Sequence, residues 1–535
     1  MMKSPILLLI ACMSFTVLDA QNELDALRHS QSSLPAGTAR SMGMGGAFSA
    51  VGADLSSAAT NPAGLGLFRQ SVFSFTPVFR ATQTASQYLD TTGSGETSYL
   101  RVPSIGVSFY NRTYTGYGAE DTDVEPKGVL SYSVAFGINQ LENYTRETKI
   151  EDSFNPYSSI GQYFADRSQG LSPTSLGAVD QLAFQLLVID TVVLSDGRTY
   201  FPAASEGQVA QTVQRQETGR RNEWYFGFGA NYSDKVYFGA SLGLQTLRYE
   251  QDFTFNEQDI NNLYEFYYPY DDNVFPLQIP TNEIRFLDNF TTRGTGLNGK
   301  AGIILRPVDA LRISVSGQTP TFLTLTDQFT TTLVHSLTLS PTGGPEEYTA
   351  ETDPASFEYS LMTPWKAGAG LMYQLGKIAI ISAEADYTDY RSARLRSIER
   401  SISSPGYYAF RDENARIQEY YKGTFNYRVG AEARVDIFRL RAGAALYGSP
   451  LTQATSEYTD FNNLQNLLTI NASRKILTLG AGIRQPSVHV DVAYIYQFQQ
   501  DKFSPYTVQA PDSFQPVIIN KVQAHTVAAT VGFNF

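Results

Sequence analysis

From about residue 71 to the C-terminus the chain repeats one theme, in which large apolar side chains alternate with small or polar ones over roughly ten residues. In WYFGFGANY, Trp224, Phe226, Phe228, Ala230 and Tyr232 share one face, and Tyr225, Gly227, Gly229 and Asn231 share the other. KVYFGASLGLQ sets Val236, Phe238, Ala240, Leu242 and Leu244 against Tyr237, Gly239, Ser241, Gly243 and Gln245. WKAGAGLMYQ sets Trp365, Ala367, Ala369, Leu371 and Tyr373 against Lys366, Gly368, Gly370, Met372 and Gln374. Successive side chains of a strand point to opposite faces, so period two predicts strands. About fourteen such segments occur, starting near 71, 101, 127, 222, 235, 289, 309, 357, 377, 420, 437, 473, 486 and 522.

The connections decide between a soluble sandwich and a membrane barrel. Tight links fall at Ser233-Asp234, Arg306 to Asp309, Gly376-Lys377, Asp436-Ile437 and Gln485-Pro486, and long polar links lie between them. Alternating short and long connections with an even strand count are the pattern of an outer-membrane barrel, whose short turns face the periplasm and whose long loops face outward. One link departs from it, because Asn111 to Glu125 falls where a short turn belongs. The last segment, HTVAATVGFNF, aligns Val527, Ala529, Val531, Phe533 and Phe535 on one face. A terminal aromatic on an alternating last strand resembles the signal read by the outer-membrane assembly machinery, which makes Phe533 and Phe535 the expected assembly signal. In lipid only a closed barrel satisfies every backbone group of a sheet. The predicted fold is therefore all-β: a transmembrane antiparallel β-barrel of about fourteen strands, multi-pass in the outer membrane of a Gram-negative bacterium and in contact with its lipids. At that strand number the wall side chains do not fill the lumen, so something must plug it.

Composition agrees. Of 535 residues, 42% are hydrophobic, 13% aromatic and only 17% charged. The net charge of −12 argues against nucleic acid as a partner. At the N-terminus Lys3, an apolar run from Ile6 to Val17 and a small-residue site after Ala20 predict a signal peptide over residues 1–20. Leu9-Ile10-Ala11-Cys12 also matches a lipoprotein box superficially. Ordinary cleavage removes Cys12, the only cysteine, and with it disulfide and thiol chemistry. The remaining division is a plug over 21–70 and a barrel over 71–535 with long outer loops, notably 143–221 and 250–288.

The plug candidate is GTARSMGMGGAFSAVGADLSSAATNPAGLGLF, residues 37–68, rich in Gly, Ala and Ser and placed before the first strand. Gly43, Gly45, Gly46 and Gly52 permit tight turns against a surrounding wall. Asn61-Pro62 is a turn initiator. Here the sequence resembles the FadL/TodX-type outer-membrane transport proteins for hydrophobic compounds. The resemblance rests on ARSMGMGGAFSAVGADLSSAATNPAGLGLF, on Asn61-Pro62-Ala63 just before the first strand, and on chain length, strand count and Phe535. It implies a fourteen-stranded barrel with an N-terminal hatch in its lumen, passive uptake of fatty acids, aromatic compounds or similar molecules, and sideways exit through a kinked strand. Gly43, Gly45, Gly46, Asn61, Pro62 and Ala63 fall on the hatch motif, either as transport residues or as a plug packed for shape. The Gly-rich strands at 222–245 and 365–370 are candidates for the kink.

The outer loops carry two further patterns. Within 172–190, Leu176, Val179, Ala183, Leu186 and Leu187 follow helical spacing after Ser172-Pro173, and Ile160, Tyr163 and Phe164 come together in a second piece. They form either an outer hydrophobic groove, with Leu176, Val179, Ala183 and Leu186 as its lining, or a cap on the barrel. The loop from Glu250 to Phe275 holds seven carboxylates without a basic residue, together with Tyr264, Phe266, Tyr267, Tyr268 and Tyr270. Its spacing matches no Ca²⁺ loop, so it reads as solvated or interfacial surface.

Catalysis has little support. The four histidines, His29, His335, His489 and His525, accompany no hydrolase or zinc motif. His489 shares a face with Asp491, a structural pair before a catalytic one. We expect no enzyme, no cofactor and no metal site. The alternatives to a channel are an interaction subunit of a secretion machine, similar to PorV, or a haem receptor, for which only Tyr is plentiful as a ligand.

Overall fold

The computed structural model describes residues 27–30, 37–113, 127–193, 199–201, 203–205, 207–261, 263, 281–338, 344–398, 410–452, 473–508 and 515–535. The signal-peptide residues and Tyr264 to Tyr270 lie outside them.

The wall is one closed antiparallel sheet of fourteen strands. In chain order these are β1 (Val72–Tyr88), β2 (Thr91–Arg112), β3 (Val129–Asn143, continued by Arg146–Asn155), β4 (Val209–Tyr232), β5 (Val236–Gln258) and β6 (Thr281–Val308). Next come β7 (Leu311–Gln318, continued by Phe322–Leu337), β8 (Glu346–Glu351, Ala355–Met362 and Lys366–Leu375) and β9 (Ala379–Asp389 and Arg394–Ser397). β10 (Gly423–Val435), β11 (Phe438–Tyr447), β12 (Arg474–Arg484), β13 (Val488–Phe503) and β14 (Ile518–Asn534) complete it. β14 pairs with β1 from Val72↔Asn534 to Tyr88↔Ile518, which closes the barrel.

Every segment expected from the alternation is a wall strand. Its polarity is that of a membrane protein: Trp224 and Phe226 are 55% and 56% exposed on the outside, while their neighbours Glu223 and Arg221 are 0% and 3% exposed inside. Along β5 the outward residues Phe238, Leu242 and Leu244 form an apolar band. The stretch from Val236 to Leu244 matches the roughly 9–11 residues a tilted strand needs to cross a bilayer. Beyond it the polarity inverts. Arg248, Glu250 and Asp252 point outward, and Leu247, Tyr249, Phe253 and Phe255 are buried inside. The barrel therefore projects past the membrane at its loop end as a water-facing extension with an apolar interior.

That extension corrects two boundaries. Strand pairing continues through Arg146–Asn155 and Val209 onward, so the loop expected over 143–221 shrinks to 156–208. Likewise β5 runs to Gln258 and β6 begins at Thr281, which shortens the loop expected over 250–288. β1 and β2 meet in a tight turn at Leu89-Asp90, at the loop end. Their tips are polar on the outward face because that face meets water, which hid the start of β2 from the alternation. The long link after Arg112 is real and lies at the turn end.

The extension is capped from within. Helices Ile160–Ser168 and Ala178–Gln185 pack on Phe253, Phe255, Phe286 and Leu333. A helix at Arg411–Tyr420, unanticipated by the apolar pattern, caps the other side through Asn414, whose amide exchanges hydrogen bonds with the Leu395 backbone at 2.8 and 2.9 Å.

Candidate functional site

Residues 37–68 fold inside the barrel as one helical turn and two 3-10 turns, nearly every residue buried. Each turn is set by its cap: Thr38 accepts from Ser41 N–H, Asp54 from Ser56 N–H and Asn61 from Ala63 N–H. Asn61 also ties the segment to itself, donating from Nδ2 to Ser49 O at 3.0 Å. Pro62 opens its turn at a position where no N–H is needed.

The wall holds this plug around its circumference. Ala39 N–H donates to Thr530 Oγ1 of β14 at 2.7 Å, and Thr478 Oγ1 of β12 donates to Gly43 O at 2.9 Å. Phe48 and Ser49 N–H both donate to the Glu384 carboxylate of β9, at 3.0 and 2.9 Å. Arg312 of β7 donates to Val51 O at 2.8 Å, and Ser241 of β5 to Ala58 O at 2.9 Å. Arg40 lies over the Phe48 ring and forms a two-pronged ion pair with Glu432 of β10 at 3.1 and 3.2 Å. Glu432 also accepts from Arg441, whose guanidinium reaches Asp491 at 2.7 Å. Asp491 therefore pairs with Arg441, and the His489 ring lies against Gly532.

Between these bonds backbone meets backbone. Gly45 takes a positive φ, and a Cβ there would stand 2.8 Å from Ala444 N. A side chain at Gly302 would collide with Asn61 Oδ1. Of the hatch-motif residues, Gly43, Gly45, Asn61, Pro62 and Ala63 lie against the inner wall, and Gly46 faces the chamber above the plug. The Gly-rich stretch 222–245, a candidate for the kink, spans the end of β4 and the start of β5. β4 and β5 pair with each other, and β5 with β6, without a shift; β4 shifts register against β3 only near Asn222 and Tyr232, and Gly227, Gly229 and Gly239 lie against the plug.

The break in the wall borders the second candidate, 365–370. Ladder pairing of β7 with β8 runs up to Gln318↔Lys366 and resumes at Phe322↔Met362. In the gap Pro320 and Pro364 lack N–H groups. Thr321 N–H donates to the Thr363 hydroxyl at 2.8 Å, and Gly299 N–H of β6 to the Thr319 hydroxyl at 3.0 Å. Thr363 N–H still donates to Thr321 O at 3.0 Å and Thr319 N–H to Gly299 O at 2.9 Å, so hydroxyls stand in for part of the backbone pairing around residues 319–321. On the lipid face this seam lies in a recess of about 810 Å³, floored by Ala240, Gly299, Ala301 and Gly317 and rimmed by Phe226, Leu242 and Trp365. Directly inside is a chamber of about 170 Å³ above Gly46, Ala59 and Thr60 of the plug. Lys300, Gly317, Gln318, Lys366 and Ala367 line both spaces.

The chamber is polar. Lys300 pairs with Glu223, which also accepts from Asn298 at 2.9 Å and Gln245 at 3.0 Å. Arg428 pairs with Glu384 and Asp386. From above, residues 27–30 enter the lumen: Arg28 meets Glu217 at 3.2 Å, and Arg221 donates to His29 O. Sequence reasoning missed this segment, whose composition is that of an ordinary linker.

No family model and no curated protein matches the chain. Solved structures do. The FadL homologue of Pseudomonas aeruginosa matches with a TM-score of 0.50 at 14% identity, over 93% of this chain and 99% of that one. The toluene transporter TodX of P. putida matches with a TM-score of 0.50 at 11% identity, over 94% and 99%. The chain has their fold.

The other predicted residues are placed as follows. Leu176, Ala183 and Leu186 are buried, and Val179 packs against the same cluster, inside the loop-end extension. Their apolar faces cover the mouth from within and form no open groove in this conformation. His335 fastens this cap, with Nδ1 bonded to Leu186 O at 2.6 Å and Nε2 to Thr281 Oγ1 at 3.1 Å. Burial lowers its pKa to about 4. Glu257 accepts from Gln211 at 2.9 Å, from Ile160 N–H at 3.0 Å and from the Ser159 hydroxyl, and burial pushes its carboxyl above the usual range. Phe533 and Phe535 are exposed on the outer face at the turn end, with Phe535 N–H bonded to Ser71 O at 3.0 Å.

Proposed function

We propose that the protein is an outer-membrane channel through which hydrophobic small molecules, such as aromatic compounds or long-chain acids, pass without energy coupling. The observation that carries this reading is the seam: a plugged lumen whose chamber is separated from an apolar recess on the lipid face by an interrupted stretch of the wall ladder. A molecule that enters past the cap meets residues 37–68 below and the seam beside it. The seam offers a sideways route into the bilayer that leaves the plug seated. The fold shared with the FadL homologue and the toluene transporter supports the same reading, and an apolar band around the barrel places it in the membrane.

Locking the seam tests the route. Gly317 and Ala367 are opposed Cα partners in adjacent strands, a spacing a disulfide can bridge. With Cys12 gone after export, Gly317→Cys/Ala367→Cys carries the only thiols. Oxidised, this variant should take up toluene and dodecanoate at least about tenfold more slowly than after reduction. Equal uptake in both states refutes the sideways route.

A further inference from the structure

On the outer face of the loop-end extension, arginines of neighbouring strands stand side by side. Arg220 of β4 is the register partner of Arg248 in β5, and Arg248 is that of Arg293 in β6. All three point outward and are exposed. Arg101 of β2 extends the row, donating to Asn143 Oδ1 at 2.7 Å, and Asn143 is the partner of Arg220 on β3. Like charges directly opposite one another destabilise a sheet. Here that happens twice in succession, on a chain whose net charge is −12. One carboxylate offsets it: Glu250 pairs with Arg248 at 2.5 Å and stands 4.0 Å from Arg293. Farther along the row, Glu358 of β8 is separated from Arg293 by Thr326 of β7. No hydrogen bond or ion pair reaches the Arg220 guanidinium among the described residues. The row keeps an excess of positive charge, and an anion bridging its members removes the repulsion.

The height of the row identifies the anion. On the same strands the last apolar row is Trp224, Leu244 and Leu297, all exposed to lipid. Asn222, Thr246 and Thr295, polar and uncharged, lie between the two rows. From Leu244 to Arg248 is about 14 Å along the strand, or about 10 Å of height at a tilt of about 45°. The headgroups of a phospholipid leaflet extend only about 5–8 Å beyond its hydrocarbon. A phospholipid phosphate therefore sits below the row, and a phosphate carried on a sugar reaches it. From this register we propose that the arginine row docks a phosphorylated glycolipid of the outer leaflet. Arg220, Arg248 and Arg293 grip its phosphates, Asn222, Thr246 and Thr295 meet its sugar hydroxyls, and its acyl chains lie on Trp224, Leu244 and Leu297. The guanidinium fork suits the task, since it meets two phosphate oxygens at once. This site is on the outside of the wall and is independent of the channel reading.

The test uses full-length protein extracted from its outer membrane in mild detergent. Native mass spectrometry counts the glycolipid retained per barrel. The barrel is then titrated with glycolipid from the same membrane, with that glycolipid after phosphatase treatment, with phosphatidylglycerol and with inorganic phosphate. The wild type should retain at least one glycolipid, and phosphatase treatment should weaken binding at least about tenfold. Arg220→Gln, Arg248→Gln and Arg293→Gln should each weaken it about tenfold, the ratio expected for one charged hydrogen bond, and the triple variant should retain none. Arg285→Gln removes an arginine of the same extension that is engaged with Glu347 at 3.0 Å, and it should leave retention unchanged. Heat-modifiable gel mobility reports that each variant is folded. Unchanged retention in the triple variant, equal affinity for the phosphatase-treated lipid, or an equal loss in Arg285→Gln overturns the proposal. Tighter binding of phosphatidylglycerol, or displacement of the glycolipid by an equal concentration of inorganic phosphate, also overturns it, since the row would then serve a phospholipid or a free ion.

Discussion

Replacing Arg40 by Met should unseat the plug without unfolding the barrel. Arg40 is 8% exposed, and its guanidinium meets both carboxylate oxygens of Glu432. Removing one partner of a buried ion pair costs about 3–5 kcal/mol, mostly because the other charge is stranded. Glu432 is not fully stranded here, since Arg441 Nε still donates to it at 2.6 Å. That places the loss near the lower end, about 3 kcal/mol, or roughly a hundredfold in the population of the displaced plug. The other bonds around the circumference remain, so the plug stays mostly seated and the effect appears as brief openings. Single-channel recording in planar bilayers measures them. Opening frequency should rise about a hundredfold in Arg40→Met. In Arg40→Met/Glu432→Gln it should rise by less than the two single effects combined, since directly interacting residues are non-additive. A frequency within about threefold of wild type, or strict additivity of the two changes, refutes the assignment of Arg40–Glu432 as the latch.

Two further outcomes follow from the same geometry. His335 is buried as a neutral ring with its pKa lowered to about 4, so its contribution to the cap is complete above the ordinary value near 6.5 and is lost as pH falls from there towards 4. The loss reaches about 3 kcal/mol at most, and the amide-exchange protection factors of residues 178–189, taken relative to the intrinsic exchange rate at each pH, should fall between pH 7 and pH 4.5 in the wild type and much less in His335→Gln. Gly302→Ala puts a methyl group onto Asn61 Oδ1; it should raise channel opening as Arg40→Met does while leaving heat-modifiable mobility unchanged, and an unaltered conductance record would show that the plug accommodates it.

What could be read in the sequence followed the membrane. Where β4 and β5 cross lipid, Phe226, Phe228, Leu242 and Leu244 alternate with Gly227, Gly229, Ser241 and Gly243, and period two is plain. Above the lipid the rule that generates the pattern changes. Outward residues meet water, as with Arg248 and Glu250, and inward ones meet either apolar cap or polar lumen. The strand tips in 80–100 and 209–221 are polar on both faces, so they look like loop. The seam was hidden. Pro320 and Pro364 lie 44 positions apart in the chain, and only the pairing of β7 with β8 sets them side by side.

The plug shows why its motif and the wall's glycines need to be read together. Small residues over 37–68 allow the plug to turn tightly, but they cannot by themselves hold it. The wall supplies the complement: a side chain at Gly239 would strike the Pro62 carbonyl, one at Gly302 the Asn61 amide, and one at Gly430 or Gly443 the Met44 backbone. Each of these glycines falls on the inward face of its strand, where alternation alone predicts only something small or polar. Read within one strand they look like weak points and invite the idea of a kink. Read against the plug they are its seats, because the plug can come this close to a strand backbone only where the strand lacks an inward side chain. A barrel with this plug sequence but Ala or larger at those four positions would assemble its wall and leave the plug outside it, so the motif has structural meaning only in a chain whose strands carry the matching gaps.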